Sequence, residues 1–297
     1  MKLRRKVLTA SLAAAMMGLS ACGGGGDEEA AAPPVEESPE FEAGTTMAEL
    51  AEQGSIVVGT KFDQPGFGLE NIDGELEGFD VEIAKILAAG LGIGPDGIEY
   101  VETPSAVREE VIEDGDVDLV AATYTINEER AQRITFAGPY YQAGQQIMVL
   151  TDNDTITGPD SLTDNPDTTV CSVTGSTPSQ TILEYLASPD QLVLFEEYSL
   201  CAEALTNGQV QAVTTDNVIL AGFVSQSDGA FKLVGEQFTE EPYGIGIEKG
   251  DVEFCEFINE TLAAAAESGA YEEAWNTTAG MIEGSELPEL PEPAECV

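Results

Sequence analysis

An α/β fold of two lobes, each a mostly parallel sheet flanked by helices and joined by hinge strands, is predicted by three observations. Apolar strand-like stretches alternate with helix-like stretches through the folded part of the chain. The pattern βαβαβ occurs twice, at about 55–122 and 168–214. The last helices follow the second set, which sends the chain back to the first lobe. Residues 48–140 with 243–297 then form lobe 1, and 141–242 form lobe 2. Two crossing strands near Tyr140–Gly144 and Glu240–Tyr243 serve as the hinge.

The elements follow from local pattern. Ser55–Thr60 is an apolar, buried-type strand. Asp80 is expected to cap a helix that sets Ile83, Ile86, Leu87 and Leu91 on one side. Ile98–Glu102 is a strand, and Pro104 is expected to open a helix through Val107, Val111 and Ile112. Val117–Ala122 is a strand, Asn127–Ile134 a short helix and Gln146–Leu150 a strand. The second set runs strand Thr168–Val173, helix Pro178–Ala187, strand Leu192–Phe195, helix Ser199–Asn207, strand Gln211–Thr214, helix Asn217–Ser225 and strand Phe231–Val234. Tyr243–Ile247 is a strand, and Phe254–Glu267 and Tyr271–Thr277 are helical.

Composition limits the function. The chain has 297 residues, with 55 acidic, 11 basic and no histidine, for a net charge of −44. So negative a chain excludes nucleic acid as a partner, because phosphates need clustered Lys and Arg. Without histidine there is no Ser-His or Cys-His mechanism and no zinc site of the usual His type. No metal spacing or cofactor motif is present. The acidity keeps the chain hydrated and soluble. A saline habitat and repulsion from other anionic surfaces explain it equally well.

Residues 1–21 read as an export signal. Lys2, Arg4, Arg5 and Lys6 precede a short apolar run, Val7–Leu19, too short for an ordinary membrane span. Leu19-Ser20-Ala21-Cys22 resembles the bacterial lipobox, which implies cleavage before Cys22 and a lipid on its sulfur. Residues 22–47, rich in Gly, Ala, Pro and acidic residues, read as a flexible tether. The expected location is therefore outside the cytoplasm, anchored to the cell membrane through Cys22. Four further cysteines, an even number in an exported chain, suggest two disulfides. Cys171 with Cys201 and Cys255 with Cys296 are the expected pairs; the first lies in one βαβα stretch and the second would pin the Pro-rich tail.

Removing the signal leaves Lys61, Lys85, Arg108, Arg130, Arg133, Lys232 and Lys249 as the only basic residues. An anion pocket must draw on these, on main-chain amides and on helix starts. Several lie where a strand ends. Lys61 follows the first strand. Ser105 and Arg108 lie near a helix start, where a cation is unfavourable unless an anion is near. Thr123, Thr125 and Arg130 follow the strand at 117–122, and Arg130 offers a bidentate grip on a carboxylate. Ser176 and Thr177 lie in a Gly-containing turn before a helix. Asp216 ends another strand and suits either a helix N-cap or an ammonium group. In an open α/β sheet these strand ends face the ligand crevice. Three cations, one anion and neutral donors match the charges of a dicarboxylic amino acid. Arg130 would take the α-carboxylate, Asp216 the α-ammonium, and Lys61 with Arg108 the side-chain carboxylate. A neutral amide would leave Lys61 or Arg108 unpaired.

Gly78-Phe79-Asp80-Val81-Glu82-Ile83-Ala84 and Val117 through Ile126 to Arg130, then Phe136 and Pro139-Tyr140-Tyr141, are similar to stretches of the family 3 solute-binding proteins of ABC transporters. Gly175-Ser176-Thr177 and Tyr243-Gly244-Ile245 match in the same order, over residues 55–280. Gly59–Gly68 and Ser172–Pro178 resemble the glutamate-binding lipoproteins of actinobacteria. The resemblance implies a type II periplasmic-binding-protein-like fold that captures L-glutamate, or next L-aspartate, and delivers it to ABC permease subunits in the membrane. It implies no enzyme activity. A sensor serving a membrane kinase is the alternative, then a lyase or dehydratase on the same fold. Family members often place an aromatic residue near Ser105 against the ligand. None stands there, so Phe62, Phe67 or Tyr124 is expected to form the apolar wall.

Overall fold

The computed structural model describes residues 34–36 and 39–297. The signal at 1–21 and the lipid site read at Cys22 lie outside the described residues. Packed structure begins within the span read as a tether: Phe41 meets Phe257 edge-on at 5.6 Å. Helix α1 (Thr46–Gln53) follows, with the Thr45 side chain accepting the Ala48 amide as N-cap.

The first lobe continues with β1 (Ile56–Thr60), then β2 (Asp63–Gln64), β3 (Gly68–Glu70) and β4 (Leu76–Glu77). These last three form a small antiparallel sheet of their own, too short to leave a period in the sequence. Next come α2 (Phe79–Gly90), β5 (Ile98–Glu102), α3 (Arg108–Glu113), β6 (Leu119–Val120), α4 (Glu128–Ala131) and the long β7 (Thr135–Ala143). The second lobe holds β8 (Gln145–Leu150), α5 (Asp160–Asp164), β9 (Val170–Val173), α6 (Thr177–Thr181), β10 (Leu192–Phe195), α7 (Tyr198–Thr206), β11 (Ala212–Asp216), α8 (Asn217–Gln226) and β12 (Phe231–Val234). Strand β13 (Glu241–Ile247) returns the chain to the first sheet, and α9 (Val252–Ser268) and α10 (Ala270–Asn276) pack behind it.

The two main sheets repeat one plan. Their strand orders are β5-β1-β6-β13-β7 and β10-β9-β11-β8-β12. In each, three parallel strands come first and two antiparallel strands complete the sheet. The antiparallel pairs arise because the chain crosses between lobes and comes back. Glu241 lies opposite Ala143 and Tyr243 opposite Tyr141, so the outgoing and returning strands run side by side.

Two expected helix starts differ from the structure. Asp80 is not an N-cap; it lies inside the first turn of α2, fully buried. Its carboxylate accepts the Thr123 amide (2.7 Å) and the Tyr140 hydroxyl (2.5 Å). Pro104 does not open a helix either. Residues 105–107 form a turn, and α3 begins at Arg108. Phe67 is part of the core rather than a pocket wall. Its ring packs edge-on against Phe79, Tyr141, Tyr243 and Trp275, with Tyr141 and Trp275 stacked at 5.3 Å.

Both expected disulfides are present, Cys171–Cys201 and Cys255–Cys296. The second ties the C-terminal tail to α9, and the Ala294 amide adds a hydrogen bond to the Gly138 carbonyl on β7 (2.7 Å). It spans 41 residues of sequence. Replacing both Cys255 and Cys296 with Ser is expected to cost about 2–4 kcal/mol of stability through the freed unfolded chain. Denaturant unfolding checks this, with ligand affinity expected to stay within threefold, because neither cysteine faces the cleft.

Candidate functional site

The C-terminal ends of β1, β5, β6, β9 and β11 carry the loops predicted to hold a ligand, and the fold sets them against one another. From the first lobe come Ser105, Arg108, Thr123 and Thr125. From the second come Ser176, Thr177, Tyr198, Thr215 and Asp216. Together they line one narrow gap. Arg130 borders the adjoining cleft with Ser105 and Gly175.

The cations are buried, and their partners differ. Lys61 is 4% exposed, and its Nζ donates to Ser105 Oγ at 3.0 Å. Burial, and then the charge of Arg108, bring its ammonium down to about 7. Arg108 is 3% exposed. Its guanidinium donates to the carbonyls of Ala122 (3.0 Å) and Thr123 (3.4 Å) and lies 4.1 Å over the Tyr124 ring. Its Nε has no partner. Among the described residues, neither Lys61 nor Arg108 forms an ion pair with a carboxylate.

Arg130 is held more fully. Nε pairs with Glu109 (3.2 Å), one terminal nitrogen donates to the Thr125 carbonyl (2.7 Å) and the other to the Gly175 carbonyl (3.0 Å) across the lobes. A guanidinium has five N–H groups, so one on each terminal nitrogen remains. Burial and the nearby Arg108 lower its pKa to about 10, which leaves it charged at neutral pH.

Asp216 occupies the N-cap position of α8, yet its side chain makes no capping bond. Oδ2 accepts the Tyr243 hydroxyl at 2.6 Å, and Oδ1 has no partner although the residue is 2% exposed. A buried acceptor without a donor costs free energy until a donor arrives. Burial first, then the charge of Glu241, raises the carboxyl to about 7.

The hydroxyl residues divide between scaffold and cleft. Ser176 is the N-cap of α6, accepting the Ser179 amide and donating to the Val173 carbonyl. Thr123 has φ +43° and donates its hydroxyl to Gln64 Oε1 (2.9 Å). Thr125 Oγ1 lies 3.2 Å from Thr177 Oγ1 across the cleft, and Thr177 donates on to Glu241 Oε2 (2.8 Å).

Besides Thr215, which lines the gap beside Asp216, three site residues were not read from the sequence. Glu241, on the returning strand, is buried beside Thr177 and Thr239. Tyr198, at the start of α7, brings a buried hydroxyl to the gap. That hydroxyl lies among Ser172, Ser176 and Thr215 with no well-formed hydrogen bond. Burial pushes it up to about 12, so it remains a neutral donor. Asp80 fixes the Thr123 turn from behind. Asp80→Ala is expected to cost about 3 kcal/mol or more, because the Thr123 amide and Tyr140 hydroxyl lose their shared acceptor. Thermal melting checks this, and ligand affinity is expected to fall with it as the Thr123 turn loosens.

Residues 56–277 match the model of the bacterial extracellular solute-binding proteins, family 3. The chain belongs to this family. It is 38% identical over 278 residues to the glutamate-binding protein GluB of Corynebacterium efficiens, covering 90% of this chain and 88% of that one. It is 34% identical to the ABC transporter glutamine-binding protein GlnH of Bacillus subtilis, covering 91% and 96%. Among solved structures, an ancestral arginine-binding protein bound to glutamine superposes with a TM-score of 0.71 at 33% identity, over 78% of this chain and 99% of that one. The solute receptor for L-cysteine of Neisseria gonorrhoeae gives 0.73 at 30% identity, over 81% and 96%. As a family 3 solute-binding protein, the chain has the two-lobed type II architecture. Among the described residues, no helix is long and apolar enough to cross a membrane.

Proposed function

We propose that this solute-binding protein captures an acidic amino acid, L-glutamate first and L-aspartate next, and delivers it to an ABC-type permease. The observation that carries the reading is a pair of buried cations, Arg108 lining the gap and Lys61 bonded to Ser105 on its wall, with no carboxylate paired to either among the described residues. Burying an uncompensated charge costs several kcal/mol. A side-chain carboxylate offsets that cost for both cations at once. A side-chain amide carries no charge and leaves the cations uncompensated.

The other end suits the amino-acid backbone. The remaining N–H groups of Arg130, with the Thr125 hydroxyl and the turn at Ser176 and Thr177, take the α-carboxylate. The open Oδ1 of Asp216 takes the α-ammonium. The similarity to proteins named as glutamate-binding supports the same ligand. A lipid on Cys22 would hold the protein at the outer face of the membrane, close to the permease.

Calorimetric titration with glutamate, aspartate, glutamine and asparagine tests the reading. Glutamate is expected to bind at least 30-fold more tightly than glutamine, the equivalent of about 2 kcal/mol for a hydrogen-bonded charge. Equal affinity for the acid and its amide would remove Lys61 and Arg108 from the side-chain pocket.

A further inference from the structure

Asp63 forms no ion pair among the described residues, although its charge is felt by Lys61, and it joins the two lobes. It lies in β2, at the cleft edge of the first lobe. Its Oδ2 accepts the amides of Tyr198 (2.8 Å) and Ser199 (3.2 Å), the first two residues of α7 in the second lobe. The residue at the N-cap of α7, Glu197, makes no capping bond with its side chain. The start of this helix is therefore capped from the opposite lobe. Free amides and the helix dipole both favour a carboxylate there.

A second contact lies beside the first. At Gly222, in α8, an added Cβ would stand 2.4 Å from the carbonyl oxygen of Pro65, two residues after Asp63. Gly222 has ordinary helical backbone, so its own helix accepts alanine. Only the facing lobe forbids it.

We propose that Asp63 is a positioning residue that latches the closed lobes. It caps α7 only when the lobes meet, and the cap seats Tyr198, whose hydroxyl reaches the ligand gap. Gly222 lets α8 approach closely enough for the cap to form. The inference rests on the amino-acid-binding reading above but places no demand on which amino acid is bound.

The test combines two variants of the full chain. Gly222→Ala is expected to leave the melting temperature of the free protein unchanged or raised, because alanine is the better helix former. It is expected to raise the glutamate dissociation rate tenfold or more, with the association rate within threefold. Asp63→Ala is expected to act in the same direction, and Asp63→Asn to recover part of the loss, since its amide oxygen still accepts. Amide hydrogen exchange reads the latch directly. With glutamate bound, the Tyr198 and Ser199 amides are expected to be protected in the wild type and to exchange at least tenfold faster in Asp63→Ala, with Ala204 and Leu205 unchanged. Unprotected amides in the wild type, or dissociation and exchange unaltered by both variants, would overturn the latch. If the two amides are protected and lose protection in Asp63→Ala while no acidic amino acid binds, the ligand assignment fails and the latch stands.

Discussion

Arg130→Ala is expected to reduce amino-acid affinity by a thousandfold or more. The side chain does three things at once. Its Nε neutralises Glu109, whose side chain is only 12% exposed. One terminal nitrogen holds the Thr125 carbonyl, and the other reaches the Gly175 carbonyl in the second lobe. Truncation leaves Glu109 without its partner, frees the Thr125 turn and removes a contact between the lobes. Cutting one member of a buried charge pair costs about 3–5 kcal/mol of stability. That cost falls on the free and bound protein alike, whereas the lost contact between the lobes weakens the bound state itself. The lost grip on the α-carboxylate adds to that. Arg130→Lys is expected to recover little, because a single ammonium cannot serve three acceptors in a fork. Calorimetry on both variants, with melting curves to confirm folding, is the measurement. An affinity within threefold of the wild type would take Arg130 out of the carboxylate subsite.

Arg130 also shows what a sequence of this kind makes legible. In a chain with so few basic residues, a cation at a strand end stands out, and Lys61, Arg108 and Arg130 do converge. The alternation of strands and helices carried the architecture as well, down to β12 at its full extent, Phe231–Val234. Residues that act through the meeting of two lobes leave no such mark. Tyr198 looks like one more residue on an amphipathic helix, and only the approach of β2 and the gap beside it give its amide and hydroxyl their places. Glu241 follows another glutamate in an acidic chain, where a buried carboxylate cannot be told from a solvated one. Asp80 follows Gly-Phe ahead of an apolar helix, which reads as a cap. Its carboxylate is instead drawn inward by the Thr123 amide and the Tyr140 hydroxyl, donors far along the chain. Phe67 lies six residues after Lys61 but turns into the aromatic core, because β2 and β3 fold the segment back.

The second large effect is a pH profile that depends on the ligand. Glutamate affinity is expected to peak near pH 7 and fall on both sides, whereas glutamine affinity is expected to fall on the acid side only. The acid limb belongs to Asp216. Its folded carboxyl titrates at about 7, above its usual 3.8. Between those values the folded protein holds a proton that the unfolded chain does not, so the free protein loses stability as pH rises through this window. An ammonium ligand needs the ionised form. Below pH 7 binding therefore releases a proton, and affinity falls by up to tenfold per pH unit. The alkaline limb belongs to Lys61, lowered to about 7 from 10.5. From about 7 to 10.5 the folded protein holds fewer protons than the unfolded chain, so the sign reverses and stability rises with pH. A ligand carboxylate needs the charged ammonium, so above pH 7 glutamate binding takes up a proton. Glutamine presents no charge to Lys61 and has no such limb. Asp80 also titrates at about 7, but it faces the Thr123 amide and the Tyr140 hydroxyl and acts equally on both ligands. Lys61→Gln is therefore expected to lower glutamate affinity by about 30-fold or more near pH 7, on the scale of about 2 kcal/mol for a charged hydrogen bond. It is also expected to flatten the alkaline limb and leave glutamine nearly unchanged. Titrations from pH 5.5 to 9, in buffers of different ionisation heat, give both the affinity and the protons exchanged. An alkaline limb that survives in Lys61→Gln would assign it to another group, and the side-chain pocket would then rest on Arg108 alone.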